Sequence, residues 1–431
     1  MDALAEKIQS RSACIAVIGQ GYVGLPLSTA FSQQGFRVLG VEADPAKIAA
    51  LNAGRSYIPD IPEEMLREAL ACGYEATGDA TRLREADAIL ITVPTPYTKT
   101  KQPDMTYVHQ AAEAVASQLR PGQLIILEST TYPGTTEELL LPALEKNGLK
   151  GGIDFEVAYS PERIDPGNPT YNLYNTPKVV GGLTDRAAKL AVALYATVVK
   201  EVVPVTSAAA AEMAKLLENT FRHVNIALAN EMALLCHRMN INVWEVIRAA
   251  GTKPFGFTTF YPGPGVGGHC IPIDPYYLVW KAHEQETVAH LVEVAGQINE
   301  RMPDHVVERV VDLLNDRGRS LRGSHVLLLG VSYKKDIPDL RESPALRVLE
   351  KLHQKGARIS YHDPHVPSLP WHFGALESVG LTAESLGSAD CVILLTDHST
   401  LDKELVARHA PVVLDTRNAL CRFAGENVVP L

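Results

Sequence analysis

The sequence lacks any long apolar run; its first, Cys14–Ile18, is far too short for a signal core or a membrane span. No membrane partner or anchor is therefore expected. It also lacks a run of lysine and arginine, and the formal net charge over 431 residues is −10. A protein that tracks phosphate backbones needs a basic face, so a nucleic-acid partner is excluded. A small anionic ligand is not, because it needs only local positive groups. The six cysteines, at 14, 72, 236, 270, 391 and 421, form no CxxC pair, and no His/Cys spacing suggests a zinc site. No bound metal is expected. Free thiols in a large chain fit a reducing, cytoplasmic setting. Cys14 and Cys391 lie in apolar, strand-like runs and read as core thiols. Short-period repeats and low-complexity tracts are absent too.

What is present is an ordinary globular composition, 46% hydrophobic and 21% charged, in a chain long enough for two or three domains. Strands are expected at Ala13–Ile18, Phe36–Val41, Ala88–Val93, Gln123–Leu127, Phe155–Tyr159 and Lys178–Gly181. Helical stretches such as Leu25–Gln34 and Asp104–Gln118 separate them, an alternation that implies a parallel sheet with helices on both faces. From about Thr206 the pattern changes to one long helix, Ser207–Met239, without glycine or proline. Its length suggests a connecting or dimer-forming helix. The glycine- and proline-rich stretch Tyr261–Pro275 follows and reads as a structured loop. Gly323 opens a second α/β unit, with strands at His325–Gly330, Ala357–Tyr361, Cys391–Thr396 and Val412–Asp415 and a helix at Pro344–Lys355. It has βαβ logic but no glycine fingerprint.

The run IAVIGQGYVG places Gly19, Gly21 and Gly24 in G-x-G-x-x-G spacing between a strand and a helix. The first glycine permits the tight turn, the second lets a pyrophosphate approach the backbone, and the third allows close helix–strand packing. Glu42 follows the second strand. A carboxylate there accepts ribose hydroxyls and repels a 2′-phosphate, which argues for NAD over NADP; the plainer alternative is a solvated residue at a strand end. Thr95, in the run Val93-Pro-Thr-Pro at the end of a later strand, is either a dinucleotide contact or part of an ordinary turn.

Lys215 and Asn219, four residues apart, share a face of the long helix; alone they read as a solvated lysine and a helix-surface asparagine. In PGPGVGGHCIPIDP (262–275), glycines at 263, 265, 267 and 268 precede Cys270, with Asp274 four residues later. Such glycine density lets backbone approach a ligand and exposes the next side chain. A thiol placed there, aided by a nearby cation, can ionise and attack a carbonyl, and Asp274 can hold or exchange protons. The bland alternative is an inert cysteine on a rigid turn.

Together the motifs resemble the nucleotide-sugar 6-dehydrogenases, the family of UDP-glucose and UDP-N-acetylhexosamine dehydrogenases. The resemblance rests on GQGYVGLP (19–26), ESTTYPGTT (128–136), YSPER (159–163), EMAKLLENTFRHVNIALANE (212–231), PGPGVGGHCIPIDP (262–275), GVSYKKDIPDLRESP (330–344) and DTRNA (415–419). It implies an α/β fold of two Rossmann-like, doubly wound parallel-sheet domains joined by a long central helix. Residues 1–205 would be the NAD domain, 206–315 a central helical and dimerisation region bearing the cysteine loop, and 316–431 the UDP-sugar domain. The implied chemistry is two successive hydride transfers to NAD, with Cys270 trapping the aldehyde as a thiohemiacetal that becomes a hydrolysable thioester. Lys215 and Asn219 match groups stabilising the oxyanion. Asp274, Glu162 and Thr130 match groups that place water and move protons. Substrate contacts carried over are Arg163, Ile164, Lys215, Asn219, Arg222, Gly267, Tyr333, Lys334 and Arg417. Cofactor contacts are Gly19, Gly21, Tyr22, Val23, Gly24, Glu42, Lys47, Thr95, Thr130 and Arg341.

Two departures point within the family. UDP-glucose enzymes resemble GGxCxPKD around the nucleophile, whereas this chain reads GGHCIPID, with Ile273 in place of the lysine. They also carry a second carboxylate four residues after Glu162, where this chain has Pro166. Both features resemble the N-acetylhexosamine branch, and IPIDPYYL (271–278) resembles its UDP-N-acetylglucosamine members more than its UDP-N-acetylmannosamine ones. The implied role is supply of acidic sugars for surface polysaccharide or glycan synthesis. The rival readings are a UDP-N-acetylmannosamine or UDP-glucose enzyme, a single-step hydroxy-acid dehydrogenase, which has no use for Cys270, and a non-catalytic nucleotide-sugar sensor.

Overall fold

Runs such as CIAVI and LIIL offer no polar residue to turn toward water, and each is buried along its whole length as an interior strand. The computed structural model describes residues 3–98, 100–165, 168, 170–372, 374–423 and 425–431. It divides into two units, Met1–Glu218 with Tyr276–Thr287, and Asn219–Pro275 with Val288–Leu431.

The first unit is built on an eight-stranded sheet of order β3-β2-β1-β4-β5-β6-β7-β8. The strands are β1 (Cys14–Ile18), β2 (Arg37–Val41), β3 (Tyr74–Thr77), β4 (Ala88–Ile91), β5 (Leu124–Leu127), β6 (Glu156–Tyr159), β7 (Lys178–Gly182) and β8 (Val202–Val205). The 3-2-1-4-5-6 core is the order of a dinucleotide-binding fold, with its switch point between β1 and β4. Pairing is parallel throughout except between β6 and β7, which run antiparallel. A parallel return needs a crossover, and no helix lies between β6 and β7 among the described residues. Between β7 and β8 the helix Asp185–Tyr195, capped by the Thr184 hydroxyl, supplies that crossover.

The second unit carries a wholly parallel five-stranded sheet of order β10-β9-β13-β14-β15 and a separate hairpin, β11 with β12. These are β9 (His325–Leu329), β10 (Arg358–His362), β11 (Ser368–Trp371), β12 (Gly374–Glu377), β13 (Cys391–Leu394), β14 (Val413–Asp415) and β15 (Val428–Pro430). Apolar residues of the helices His290–Asn315 and Pro344–Gln354, among them Val306, Val310, Val348 and Leu352, form one core cluster with this sheet. The fold is therefore the doubly wound, two-sheet α/β class, and a long helix, Ala208–Arg238, carries the chain from one unit into the other.

Most expected strands and helices lie within one or two residues of the observed ones. Tyr261–Pro275 is not loop to its end, because a helix, Asp274–Glu284, starts inside it. Pro275 is tolerated there, since a first-turn N–H has no partner within the helix. All six cysteines are free, and Cys14 and Cys391 are buried. Among the described residues no helix is long and apolar enough to cross a membrane.

Candidate active site

The glycine loop follows β1. Gly19 has φ +91°, and a Cβ on Gly24 would stand 1.8 Å from Gly19 O, so the turn and the helix contact both require glycine. A Cβ on Gly21 would meet nothing within 4 Å. That open backbone is what a pyrophosphate needs, so these residues fit a dinucleotide. At the end of β2 the Glu42 carboxylate accepts Gln20 N–H at 3.0 Å and Ala43 N–H at 3.0 Å, which places an acid beside the loop. Tyr22 is exposed, and Val23 precedes the helix Gly24–Gln33. The Lys47 ammonium lies over the Tyr57 ring, whose hydroxyl donates to Gln20 O at 2.7 Å.

The other expected residues of this unit follow β4, β5, β6 and β8. Thr95 is buried, and its carbonyl accepts the Tyr277 hydroxyl at 2.9 Å. Thr130 is half-buried after β5. One Glu162 oxygen accepts Ile164 N–H, while the other, Oε2, is enclosed with no partner among the described residues. Arg163 bridges to Glu218 at 2.7 Å and donates to Pro177 O at 2.6 Å. Ile164 packs on the core, and Lys215 is buried on the long helix. Pro166, where a second carboxylate was sought, lies outside the described residues.

In the second unit the cysteine loop and its surroundings meet. The Cys270 carbonyl accepts Ile273 N–H at 3.0 Å and Asp274 N–H at 2.8 Å, so the half-buried residue Cys270 sits just ahead of a helix N-terminus. Buried Asp274 accepts a hydrogen bond from the Asn219 amide, an actual contact between two of the expected residues. Arg222, on the same helix, is exposed. Ile273 is buried.

The glycines of the loop have a second reason beyond ligand approach. A Cβ on Gly263 would stand 2.7 Å from Arg417 Nη1, and one on Gly267 2.7 Å from Tyr333 Cβ. Arg417 donates from Nε to Leu395 O at 2.7 Å, and its enclosure lowers its pKa to about 10 against the pull of Asp397 and Asp415. Gly268 N–H donates to Arg341 O at 3.0 Å, while the Arg341 guanidinium pairs with Asp339 at 2.6 Å. Arg341 is thereby fastened to the loop by its backbone. Lys334 adjoins Tyr333 and is half-buried.

Several site-supporting residues had escaped the sequence reading. His269 Nδ1 is 3.8 Å from Cys270 Sγ, a neighbour that adjacency in GGHC could have signalled. Asn230, fully buried, bonds Gly263 N–H and Asn299 at 2.9 Å each, holding the start of the loop. Below Thr130, Glu128 pairs with Lys178 at 2.5 Å and accepts the Tyr195 hydroxyl; burial drives its pKa up although Lys178 opposes the shift. No sequence spacing links those three.

A glycine loop fit for a dinucleotide on a doubly wound sheet, with a second, wholly parallel sheet, defines a dinucleotide-binding α/β protein. The chain belongs to the UDP-glucose/GDP-mannose dehydrogenase family, whose NAD binding domain matches residues 13–199, central domain 209–301 and UDP binding domain 327–422. It is 38% identical over 94% of its length to an NDP-N-acetyl-D-galactosaminuronic acid dehydrogenase of Ralstonia solanacearum, covering 95% of that protein. It is 37% identical over 94% of its length to a UDP-N-acetyl-D-mannosamine dehydrogenase of Pyrococcus horikoshii, covering 96% of that protein. The solved structure of a UDP-D-ManNAc dehydrogenase from Pyrococcus horikoshii superposes with a TM-score of 0.87 at 35% identity, over 96% of this chain and 97% of that one.

Proposed function

We propose that the protein oxidises C6 of a UDP-N-acetylhexosamine from alcohol to carboxylate, a four-electron reaction that supplies acidic sugars for polysaccharide synthesis. The observation that carries this reading is the placement of Cys270 on a glycine loop at a helix N-terminus, with Asp274 and Asn219 bonded to each other one turn on. Gly19, Gly21, Tyr22, Val23, Gly24, Glu42, Lys47, Thr95, Thr130 and Arg341 would hold NAD, and Glu42 would reject a 2′-phosphate. Bound there, NAD accepts a hydride in each of the two oxidations. The Cys270 thiolate attacks the aldehyde carbon to give a thiohemiacetal, and its oxidation leaves a thioester on the same sulfur. Lys215 and Asn219 donate to the oxygen that gains charge. Asp274, Glu162 and Thr130 position the water that attacks the thioester, and the thiolate leaves. Arg163, Ile164, Arg222, Gly267, Tyr333, Lys334 and Arg417 bind the nucleotide sugar.

The three-domain division, 1–205, 206–315 and 316–431, and a cytoplasmic location belong to this proposal. So does a homodimer formed along the long helix, where Phe221, Leu228 and Leu235, seven residues apart, are 52%, 53% and 46% exposed. A stripe of large apolar residues left in water favours a protein partner.

The run IPIDPYYL supports the gluco epimer, whereas the names of the relatives support the manno or galacto one. Turnover of the three UDP-N-acetylhexosamines and UDP-glucose, followed by mass spectrometry of the product, tests the proposal. An N-acetylhexosaminuronate from any of the three supports the class, and the fastest epimer fixes the substrate. Preference for UDP-glucose would overturn it.

A further inference from the structure

The loop Val331–Asp336 carries Tyr333 and Lys334 but belongs to no strand; side chains from two later segments hold its backbone. Asp363, just past β10, accepts Val331 N–H at 2.8 Å and Ser332 N–H at 3.1 Å on Oδ2. His398, just past β13 and 1% exposed, stands behind the same loop. Its Nδ1 accepts Asp336 N–H at 3.0 Å, and its Nε2 lies 3.1 Å from Asp363 Oδ2 and 3.3 Å from Ser332 Oγ. A backbone N–H can only donate, so Nδ1 is the acceptor and the ring proton sits on Nε2, aimed at Asp363. The Ser332 hydroxyl in turn donates to Lys334 O at 2.9 Å. The far end of the loop is pinned as well: Ser399 donates through its N–H and hydroxyl to the Asp336 carboxylate, at 2.7 and 2.6 Å.

Asp336, His365 and His398 also offer ligand atoms within 4.8 Å of one another. A cation at Nδ1 would have to displace the Asp336 N–H from the only lone pair the ring has in that tautomer. Asp336 and His398 are therefore already engaged in a hydrogen-bonded clamp, while His365 Nε2 is buried with no hydrogen-bond partner among the described residues.

We propose that His398 is a positioning residue for nucleotide-sugar binding, a neutral ring that bridges both ends of the Val331–Asp336 loop and so fixes where Tyr333 and Lys334 are presented. The inference rests on the proposed role of Tyr333 and Lys334 as substrate contacts. His398 touches neither ligand; it acts through the backbone of Asp336 and the carboxylate of Asp363.

The test uses the full chain and UDP as probe, with binding of UDP and of NAD each measured by titration calorimetry and folding followed by thermal melting. His398→Phe keeps a ring but removes both hydrogen bonds, and should weaken UDP binding at least tenfold, as the loss of two internal hydrogen bonds at about 1 kcal/mol each implies. NAD affinity should not change, and in turnover assays KM for the nucleotide sugar should rise while kcat holds. His398→Asn, which keeps an acceptor for Asp336 N–H, should recover most of the loss. Should His398→Phe melt early, Ser332→Ala removes the hydroxyl shared by Lys334 O and His398, and should give the same selective loss of UDP affinity. Lys334→Met separates the two levels of the argument. If it weakens UDP binding while His398→Phe and Ser332→Ala bind UDP as well as the parent, the clamp is overturned and the substrate reading stands. If Lys334→Met is itself neutral, both fall.

Discussion

Tyr333 lies against Gly268 so closely that a Cβ at 268 would stand 2.7 Å from the ring carbon Cε2. Residue 268 also has φ +96°, which side chains other than glycine's adopt at a cost. A residue expected to bind substrate thus packs on the loop that carries the expected nucleophile, and the position of one determines the position of the other. Gly268→Ala should therefore displace Cys270 rather than unfold the chain. Turnover should fall about a hundredfold, the penalty for a reacting group moved by roughly 1 Å. Steady-state kinetics with a melting curve on the same sample checks it; unchanged kcat would show that the contact is incidental.

The dinucleotide glycines should separate by experiment. Gly24→Ala puts a Cβ 1.8 Å from Gly19 O and should lower the melting temperature. Gly21→Ala meets nothing within 4 Å, so it should melt like the parent yet bind NAD at least tenfold more weakly by titration. Equal effects of the two substitutions on stability would contradict this division of labour.

Burial alone would raise the Asp363 carboxyl, but the His398 ring and the N–H groups of Val331 and His365 outweigh it and hold the pKa at about 2, against an ordinary 3.8. A depressed carboxylate contributes stability above its unfolded value and loses it as pH falls toward the folded one. The melting-temperature gap between the parent and Asp363→Asn should accordingly be full at pH 5 and shrink between about pH 4 and pH 2. A gap that stayed constant through that range would mean that the bonds to Asp363 do not depend on its charge.

Breaking the buried Glu128–Lys178 pair should be costly, because the remaining charge loses its partner in a dry setting. Lys178→Met should lose about 3–5 kcal/mol in denaturant unfolding of the first unit. Replacing both residues with apolar ones should recover part of that loss.

The fold was legible where periodicity is strong. β1, β4, β5, β9 and β13 are nearly unbroken apolar runs, and the strand-to-helix passage at Gly19–Gly24 is written in local residues. What escaped is what other segments determine. Tyr74–Thr77 alternates weakly and becomes a strand because it pairs with β2. The hairpin of β11 and β12 and the short β15 carry too few apolar residues to announce themselves. The reversal at β7 goes with the lack of a crossover helix among the described residues, and the helix at Asp274 begins within a stretch whose prolines and glycines read as loop. Cys270, Asp274, Lys215 and Asn219 were singled out because each motif is contiguous. The supports were not, because Gly263 with Arg417, Gly268 with Tyr333, and Asp363 with His398 join residues far apart in sequence, and no local pattern encodes them.

Cys270→Ala should form no acid while binding NAD with unchanged affinity. Loss of NAD binding in that variant would give the cysteine loop another role.

The most direct test of the central claim counts NADH formed per molecule of limiting UDP-N-acetylhexosamine in excess NAD. Two equivalents, with the uronate as product, are predicted for a four-electron oxidation relayed through a thioester on Cys270. One equivalent, with an aldehyde or ketone as product, would contradict it.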